Sequence, residues 1–357
     1  MTTTDARTAR SNGPTTTVEH PHRPPMTITA DWARSRLPRR AEGTHKWEVG
    51  GLLVIGGAPV YVGAAGLAAM AAQRAGAGII RMAVPRSIIA PLVGLVPEAT
   101  FVPLPETESL GGARQAVVAI REAAERCAAL LIGPGMGDDE AAAGLLRAFF
   151  GAADTARPTG FSLGFDTAAS RKKAIEPVTA ADAAESARDA KPMVIDADGL
   201  NWLAAQEDWP ALLAGSVAVL TPHPGELGRL AGMETSAVAA DPMAHAVGLA
   251  RRAGQTVILK LGHSVVTDGE TVLIAPSATP ALASAGTGDV LAGTVAAFLA
   301  QGLSPLDAAG LAVYVGSMAA DAVVARVGTL GLVASDLPLA IAVALADLER
   351  DGAGESA

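Results

Sequence analysis

The chain has 357 residues and a formal net charge of −9, and half of its residues are apolar while only 3% are aromatic. That length allows one large α/β domain or two ordinary ones, each with a substantial core. The acidic balance, without a basic cluster interleaved with aromatic side chains, argues against a nucleic-acid partner.

The beginning of the chain is predicted to lie outside the folded domain. Residues 1–25 are rich in Thr, Pro and Arg and contain no apolar core, so they do not form a secretory signal. We expect an N-terminal tail over residues 1–42 that is largely disordered. Residues 51–73 carry no charge, but their glycines and Pro59 would break a membrane helix, which favours a buried strand, a glycine loop and a core helix. No membrane span is predicted.

The body of the chain alternates short apolar runs with longer segments of helical period, a pattern typical of βαβ units. Candidate strands cover residues 52–55, 78–84, 100–104, 129–132, 193–196, 218–220 and 256–261. Candidate helices cover residues 64–75, 113–126, 140–149, 243–253, 289–301, 305–326 and 336–348. Residues 264–274 predict a hairpin that turns at Asp268-Gly269. The predicted fold class is therefore α/β, a three-layer sandwich with helices on both faces of a mainly parallel sheet.

The domain boundaries follow from the same pattern. We expect one domain over residues 43–350 and a short C-terminal tail over residues 351–357. Residues 153–191 are long, mixed in charge and poorly periodic, which indicates a surface insertion to which we assign no role. The single cysteine, Cys127, excludes a disulfide within the chain, fits a cytoplasmic setting and is interpreted as a structural thiol.

The most informative segment is residues 283–293, which read Ala-Ser-Ala-Gly-Thr-Gly-Asp-Val-Leu-Ala-Gly. The small residues allow backbone N–H groups to converge on an anion at the start of a helix, where the helix dipole adds favourable potential. Asp289 is then placed to take a proton from a hydroxyl that attacks a phosphoryl group. The same pattern also occurs where an aspartate merely caps a helix.

Five further loops follow predicted strands, the place where ligands of open parallel sheets bind. They are residues 56–64, 133–137, 196–201, 221–226 and 260–263. His223 lies between two prolines that fix its backbone, which favours contact with a ligand. The plainer interpretations are tight turns for the glycine loops, helix stabilisation for Asp198 and Glu226, and an ordinary exposed lysine for Lys260.

Together, these loops predict a nucleotide-sized cleft with backbone groups that bind anions. Two common nucleotide-binding classes are disfavoured. No Gly-x-x-x-x-Gly-Lys-Ser/Thr loop is present, which argues against a P-loop enzyme. Gly56-Gly57-Ala58 fits the dinucleotide fingerprint of dehydrogenases poorly.

The ordered combination of motifs resembles the nucleotide-dependent NAD(P)H-hydrate dehydratases, relatives of the ribokinase-like small-molecule kinases. The similarity runs from about residue 43 to residue 348. The segments that carry it are residues 45–46, 53–57, 74–78, 132–137, 196–203, 220–226 and 285–293.

The resemblance implies a ribokinase-like fold and a role in nicotinamide nucleotide repair. Members of the family remove water from 6-hydroxylated NADH and NADPH; bacterial members use ADP and release AMP and phosphate, and eukaryotic members use ATP. For this chain it implies an ADP-dependent (S)-NAD(P)H-hydrate dehydratase that transfers the terminal phosphoryl group to the substrate hydroxyl before phosphate leaves, with Mg²⁺ beside the nucleotide. Two alternatives remain open: an ATP-dependent kinase of a small alcohol or vitamin precursor, which would use the same turn and base, and a nucleotide sensor without catalysis.

The resemblance also implies roles for individual residues. Asp289 deprotonates or orients the substrate hydroxyl, and the backbone at Gly286, Thr287 and Gly288 holds the phosphoryl group. Contact with the hydrated cofactor is implied for Ala64, Gly135, Gly137, His223, Gly225, Glu226 and Asp289. Contact with the adenine nucleotide is implied for Lys260, Leu261, Gly262, His263, Ser264, Gly286, Thr287 and Gly288. No magnesium ligand is named.

The chain departs from the family pattern at three places. Lys260-Leu261-Gly262 stands where Lys-Gly is usual, Thr279 replaces an asparagine, and Val315-Gly316 replaces His-Gly. The residues before residue 43 are too few for the epimerase domain that is often fused in this family, so a separate NAD(P)H-hydrate epimerase is expected as a pathway partner. The resemblance further implies a homo-oligomer such as a tetramer.

Overall fold

The computed structural model describes residues 23–106, 109–152, 191–277 and 279–354. Its strands are β1 Met26–Thr27, β2 Gly51–Ile55, β3 Ile79–Pro85, β4 Thr100–Leu104, β5 Ala129–Ile132, β6 Met193–Ile195, β7 Ala218–Leu220, β8 Thr256–Leu259, β9 Val265–Thr267 and β10 Val272–Ile274. They form one sheet of 10 strands in the order β1-β10-β9-β8-β7-β6-β5-β2-β3-β4. Strand β9 is antiparallel to β8 and β10, and the other neighbouring pairs are parallel. The predicted, mainly parallel sheet and the hairpin at its side are confirmed.

Helices cover both faces of this sheet. They are α1 Ala30–Arg34, α2 Val62–Arg74, α3 Ile89–Leu95, α4 Leu110–Ala124, α5 Glu140–Phe150, α6 Asp198–Ala204, α7 Trp209–Leu212, α8 Pro224–Ala231, α9 Thr235–Ala240, α10 Pro242–Ala253, α11 Thr287–Ala300, α12 Pro305–Val327 and α13 Leu337–Gly354. Because strand side chains alternate between faces, Leu52 and Val54 of β2 join a core with α2, α11, α12 and α13. Leu53 and Ile55 join a second core with α4, α5, α8 and α10. This is the predicted three-layer α/β sandwich.

Helix α11 lies at the centre of one helical layer. A Cβ atom on Gly293 would come within 2.1 Å of the backbone oxygen of Ala68 in α2, so only glycine allows the two helices to approach this closely. The side chains of Val295, Ala296 and Phe298 are fully buried beneath the neighbouring helices. The N-terminus of α11, which carries the Gly-x-Gly-Asp segment, is therefore held at a fixed position at the edge of the sheet.

Two apolar stretches have the length of a membrane span. The uncharged residues 51–73 form β2, a loop and most of α2, as predicted. Among the described residues, α12 is the one helix that is long and apolar enough to cross a membrane, but 67% of its apolar window is buried inside the protein. Helix α12 is thus accounted for as a core helix of the layer that contains α11.

The predicted tail over residues 1–42 is wrong for the segment that begins at Met26. Strand β1 pairs with β10, and Ile28 is 1% exposed. Trp32 in α1 packs against Gly310, where an added Cβ would lie 2.5 Å from its ring. The apolar side chains of Ile28 and Trp32 make this segment part of the core, so the domain begins before residue 43. Residues 1–22 lie outside the described residues.

The other boundaries also need comment. Helix α13 continues to Gly354, beyond the predicted domain end at residue 350. Most of the predicted insertion, residues 153–190, lies outside the described residues. Cys127 is buried, and burial raises the pKa of its thiol, as expected for a structural cysteine.

Candidate functional site

The first turn of α11 forms a backbone site for an anion. Gly286 precedes the helix with φ +88°, and a Cβ there would come within 2.6 Å of the Leu67 side chain, so the turn requires glycine. The Thr287 hydroxyl donates to the backbone oxygens of Leu282 and Ser284 at 2.8 and 3.0 Å, and these hydrogen bonds stabilise the turn. Amide groups in the first turn of a helix have no acceptor within the helix and are available to a phosphate.

Asp289 lies in this first turn, and the pKa of its carboxyl group is raised. Burial raises the pKa of its carboxyl group to about 7, and the neighbouring Asp196 carboxylate contributes to the increase. Asp198 and Glu226 act in the same direction, whereas Lys260 opposes them. A carboxyl group with this pKa exchanges its proton near neutral pH, which suits a general base or acid.

Lys260 directly follows β8, and its ammonium group lies between the carboxylates of Asp196 and Glu226 and the first turn of α11. Its Nζ lies 2.8 Å from Asp196 Oδ1 and 3.8 Å from Glu226 Oε2. Burial alone would lower the pKa of Lys260, but these two carboxylates outweigh it and raise the pKa. A Cβ on Gly288 would lie 3.3 Å from the same Nζ. Lys260 is therefore a fixed, charged group beside the first turn of α11 rather than an ordinary exposed lysine.

A cavity of about 350 Å³ opens next to Lys260, within the usual size range of small-ligand sites. Several of the predicted nucleotide contacts come together in its wall: Lys260, Leu261, Gly262, Ser264, Thr287 and Gly288. Much of the remaining wall is apolar and comes from α11, α12 and α13, as in Val290, Val313, Leu337 and Ile341. This composition suits a flat, weakly polar base next to a phosphate cradle.

The predicted nucleotide contacts do not all line this cavity. His263 points elsewhere, with its Nδ1 2.9 Å from the backbone oxygen of Ala275. Gly286 contributes the turn before α11 but no lining atoms. Two of the three departures from the family pattern do line the cavity, at Leu261 and Thr279. At the third, the residue that replaces histidine is Val315, which is not part of the cavity wall, although the neighbouring Gly316 is.

The predicted substrate loops meet on the other side of Gly286. Gly135 has φ +62°, and a Cβ there would come within 2.8 Å of both the Ala64 side chain and the Tyr61 backbone oxygen. One turn further along α2, Leu67 covers Gly286. Ala64 and Gly135 thus form a continuous surface that leads to the turn before Asp289.

The loop of residues 133–137 is also tied to the end of β6. The Gly137 N–H donates to Asp198 Oδ2 at 2.8 Å. Asp198 is the first residue of α6, and the helix is preceded by Ala197 with an uncommon φ of 48°. Asp198 therefore joins two loops instead of capping its own helix, and the amide of Gly137 is occupied by protein.

His223 and Glu226 form a reciprocal cap at the start of α8. His223 Nδ1 accepts the N–H groups of Gly225 and Glu226 at 3.0 and 3.4 Å, and Glu226 Oε2 accepts the His223 N–H at 2.8 Å. The Glu226 side chain is only 5% exposed. The Gly225 N–H and Glu226 Oε2 are thus engaged within the protein, and direct contact of these two residues with substrate stays a prediction.

His223 retains one free edge. Its side chain is 50% exposed, and its Nε2 is 3.6 Å from Glu226 Oε1, beyond hydrogen-bond distance. Burial, together with Lys260 and Arg229, lowers the pKa of the imidazole. Since Nδ1 accepts hydrogen bonds, the neutral ring carries its proton on Nε2 and can donate it to a ligand.

The sequence gave no role to two site residues, although it singled out the loops that contain them. Asp196 directly follows β6 and Thr221 directly follows β7, and they are 1% and 0% exposed. The Thr221 hydroxyl donates to Asp196 Oδ1 at 2.7 Å, the oxygen that also accepts from Lys260. An aspartate directly after a buried strand was the available signal, but its partner lies 64 residues away in the chain.

The donor set does not form a protein cage for Mg²⁺. Within the parts of the chain that the structure describes, no three His, Cys, Asp or Glu side chains are grouped to hold a metal ion. Asp196 and Glu226 already face the Lys260 ammonium group. The Lys260 ammonium group therefore offsets part of their negative charge.

The chain is similar in sequence to known proteins. A family model described as NAD(P)H-hydrate dehydratase matches residues 52–157 and 164–342. The bifunctional NAD(P)H-hydrate repair enzyme of Salinibacter ruber is 39% identical over 307 residues, which is 85% of this chain and 49% of that protein. The chain thus spans about half the length of this relative. The ADP-dependent (S)-NAD(P)H-hydrate dehydratase of Xanthomonas campestris is 32% identical, over 87% of this chain and 93% of that protein.

Solved structures share the fold. The ADP/ATP-dependent NAD(P)H-hydrate dehydratase of Bacillus subtilis, co-crystallised with ATP/Mg²⁺, has a TM-score of 0.68 at 22% identity, covering 91% of this chain and 98% of that one. A ribokinase-like superfamily protein of Enterococcus faecalis gives the same TM-score at 20% identity, covering 90% of this chain and 96% of that one. The architecture is therefore ribokinase-like.

Proposed function

Because the chain belongs to the NAD(P)H-hydrate dehydratase family, we propose that it catalyses the ADP-dependent dehydration of (6S)-hydrated NADH and NADPH and releases AMP and phosphate. One observation carries the proposal. Asp289, with a pKa of about 7, lies in the first turn of α11, between a nucleotide-sized cavity and the predicted substrate loops.

The nucleotide binds in the cavity beside Lys260. Its base occupies the apolar part of the cavity between the segment that follows β8 and helices α11 to α13. Its outer phosphate reaches the amide groups at the start of α11, where the helix dipole favours a negative charge. Lys260, held beside Gly288, neutralises part of the charge on that phosphate.

Asp289 then acts on the substrate hydroxyl. The carboxylate takes the proton of the 6-hydroxyl group, whose oxygen attacks the terminal phosphorus of ADP. An O–P bond forms as the bond between that phosphorus and its bridging oxygen breaks, and AMP leaves with the electron pair. Ala64, Gly135 and the Nε2–H of His223 are the groups proposed to orient the hydrated ring.

Elimination completes the reaction. Phosphate is a better leaving group than hydroxide, so the C–O bond breaks with its electron pair going to phosphate while the neighbouring carbon loses a proton. Lys260 and the α11 amides stabilise the departing phosphate. The substrate loses the elements of water, whose oxygen leaves in the phosphate, and the reduced nicotinamide ring is restored.

Magnesium enters this proposal as the counter-ion of the nucleotide. Mg²⁺ commonly binds through substrate phosphates and keeps several of its waters, so it needs no cage built by the protein. When bound, it would screen charge on the phosphates. A cytoplasmic location, a homo-oligomer such as a tetramer and an NAD(P)H-hydrate epimerase as pathway partner are proposed on the family resemblance.

The rival function is an ATP-dependent kinase of a small alcohol. Such a kinase would use the same general base, Asp289, and the same phosphate-binding amides at the start of α11. Purified protein is incubated with hydrated NADH and either ADP or ATP, with a control that lacks nucleotide. We expect nucleotide-dependent recovery of the reduced-nicotinamide absorbance, faster with ADP and matched by AMP and phosphate. Phosphorylation of an added alcohol without that recovery would establish the kinase instead.

A further inference from the structure

We propose that Asp196 is a positioning residue, which holds the Lys260 ammonium group beside the first turn of α11 and controls the charge around Asp289. The proposal rests on the proposed dehydratase function. It assigns a role in catalysis to a residue buried behind the site.

The position of Asp196 is fixed by its backbone. It directly follows β6, and its N–H donates to the Ile132 backbone oxygen at 3.1 Å. Its own backbone oxygen would lie 1.9 Å from a Cβ on Gly133, so the loop at residue 133 packs directly against it. The carboxylate leaves this fixed point with almost no exposure to solvent.

The carboxylate also has a fixed orientation. Asp196 Oδ1 accepts the Thr221 hydroxyl at 2.7 Å and the Lys260 ammonium group at 2.8 Å. A free lysine side chain samples many rotamers, and fixing it costs conformational entropy. The buried pair keeps Nζ beside Gly288 before any nucleotide arrives, so that cost is met during folding. Glu226, at 3.8 Å from Nζ, is a weaker second partner.

Asp196 also acts on the catalytic carboxyl group. The groups that face Asp289 are Asp196 and Asp198 from the segment after β6, Lys260 from the end of β8, and Glu226 from α8. Asp196 is the strongest of the three acidic neighbours in raising the pKa of Asp289. Loss of its charge lowers the pKa of Asp289, because one repulsive carboxylate is removed.

The test is steady-state dehydration by the full chain, comparing wild type with Asp196→Asn from pH 5 to pH 9. We expect kcat to fall by about ten- to a hundredfold, because Lys260 is no longer fixed, while KM for ADP changes by less than about threefold. We expect the acidic limb of the pH profile to move to lower pH by about half a unit or more. A purely structural residue would lower the unfolding temperature without moving that limb.

Thr221→Val provides a second variant that keeps the Asp196 charge. It should lower kcat less than Asp196→Asn does and leave the pH limb in place. Thr267→Val removes a buried hydroxyl elsewhere in the sheet, and Asp307→Asn removes an ion-paired carboxylate near Arg36; both should retain kcat.

Three results would overturn the proposed role of Asp196. An Asp196→Asn protein with unchanged kcat per folded molecule and an unmoved pH limb overturns the proposal. If that variant does not fold, Thr221→Val decides, and a kcat equal to that of Thr267→Val overturns it. A wild-type protein that never restores the reduced nicotinamide overturns the proposed function and this inference together, whereas an active wild type separates the two.

Discussion

Replacing Asp289 with asparagine should make the protein more stable at alkaline pH. The folded-state pKa of Asp289 is about 7, against an ordinary value of 3.8. Ionising this carboxyl group therefore costs more in the folded protein than in the unfolded chain. The contribution of Asp289 to the stability of the wild type is therefore fully present below pH 3.8 and is lost as the pH rises through about 7. Asparagine cannot ionise, so the variant avoids this loss.

The size of the effect follows from the shift. A difference of about three pKa units corresponds to about 4 kcal/mol in the free energy of unfolding. This is an upper limit, because Asp289 is partly exposed and its surroundings relax. The advantage of Asp289→Asn should be close to zero at pH 4, grow towards pH 7 and level off above it.

The assay is urea unfolding of both proteins at several pH values, with activity measured on the same samples. Asp289→Asn should lose about two to four orders of magnitude in turnover while gaining stability at pH 8. Asp307→Asn, which breaks an ion pair with Arg36, should gain no stability and keep its activity. Equal stability of wild type and Asp289→Asn at every pH would refute the raised pKa, and near-normal turnover would refute the role as base.

Three further predictions concern the site and the domain boundary. In the wild type, kcat/KM should rise with pH through about 7 and fall tenfold per unit below it, since Asp289 must be deprotonated; a flat profile in this range would exclude it as the base. Gly286→Ala should raise KM for ADP and lower kcat, because its Cβ would lie 2.6 Å from the Leu67 side chain. Gly302 has a similar φ and open space around it, so Gly302→Ala should lower stability without changing the kinetics. Equal kinetics of the two variants would contradict the role of the turn before α11 in binding phosphate. Trp32→Ala should lower the free energy of unfolding by about 2–4 kcal/mol with little effect on activity. An unchanged unfolding midpoint would show that the segment around Trp32 is not part of the core.

Much of the fold could be predicted because its signals are local. Continuous apolar runs gave β5 and β7 their observed limits, since strands buried on both faces need no polar alternation. The period of 3.6 residues located the long helices to within a few residues. The first strand and helix were missed because β1 has only 2 residues and α1 only 5, too few to show a period.

The site was predictable only in part, for a different physical reason. Gly286 and Asp289 lie in one short segment, so their chemistry is visible in the sequence. The contact of Asp196 with Lys260 joins residues 64 positions apart, and only the register of β6, β7 and β8 brings them together. For Glu226 the sequence left helix stabilisation and ligand contact open. Its bond with the His223 amide agrees with helix stabilisation, whereas its position near Lys260 is not visible in sequence order.

The central claim is that the nucleotide's terminal phosphoryl group passes to the substrate hydroxyl. Hydrated NADH carrying ¹⁸O in its 6-hydroxyl group tests this directly, because the C–O bond breaks after the O–P bond has formed. The account predicts that the phosphate released with AMP carries one labelled oxygen, detected by mass spectrometry. Unlabelled phosphate, with the label found in water, would contradict it.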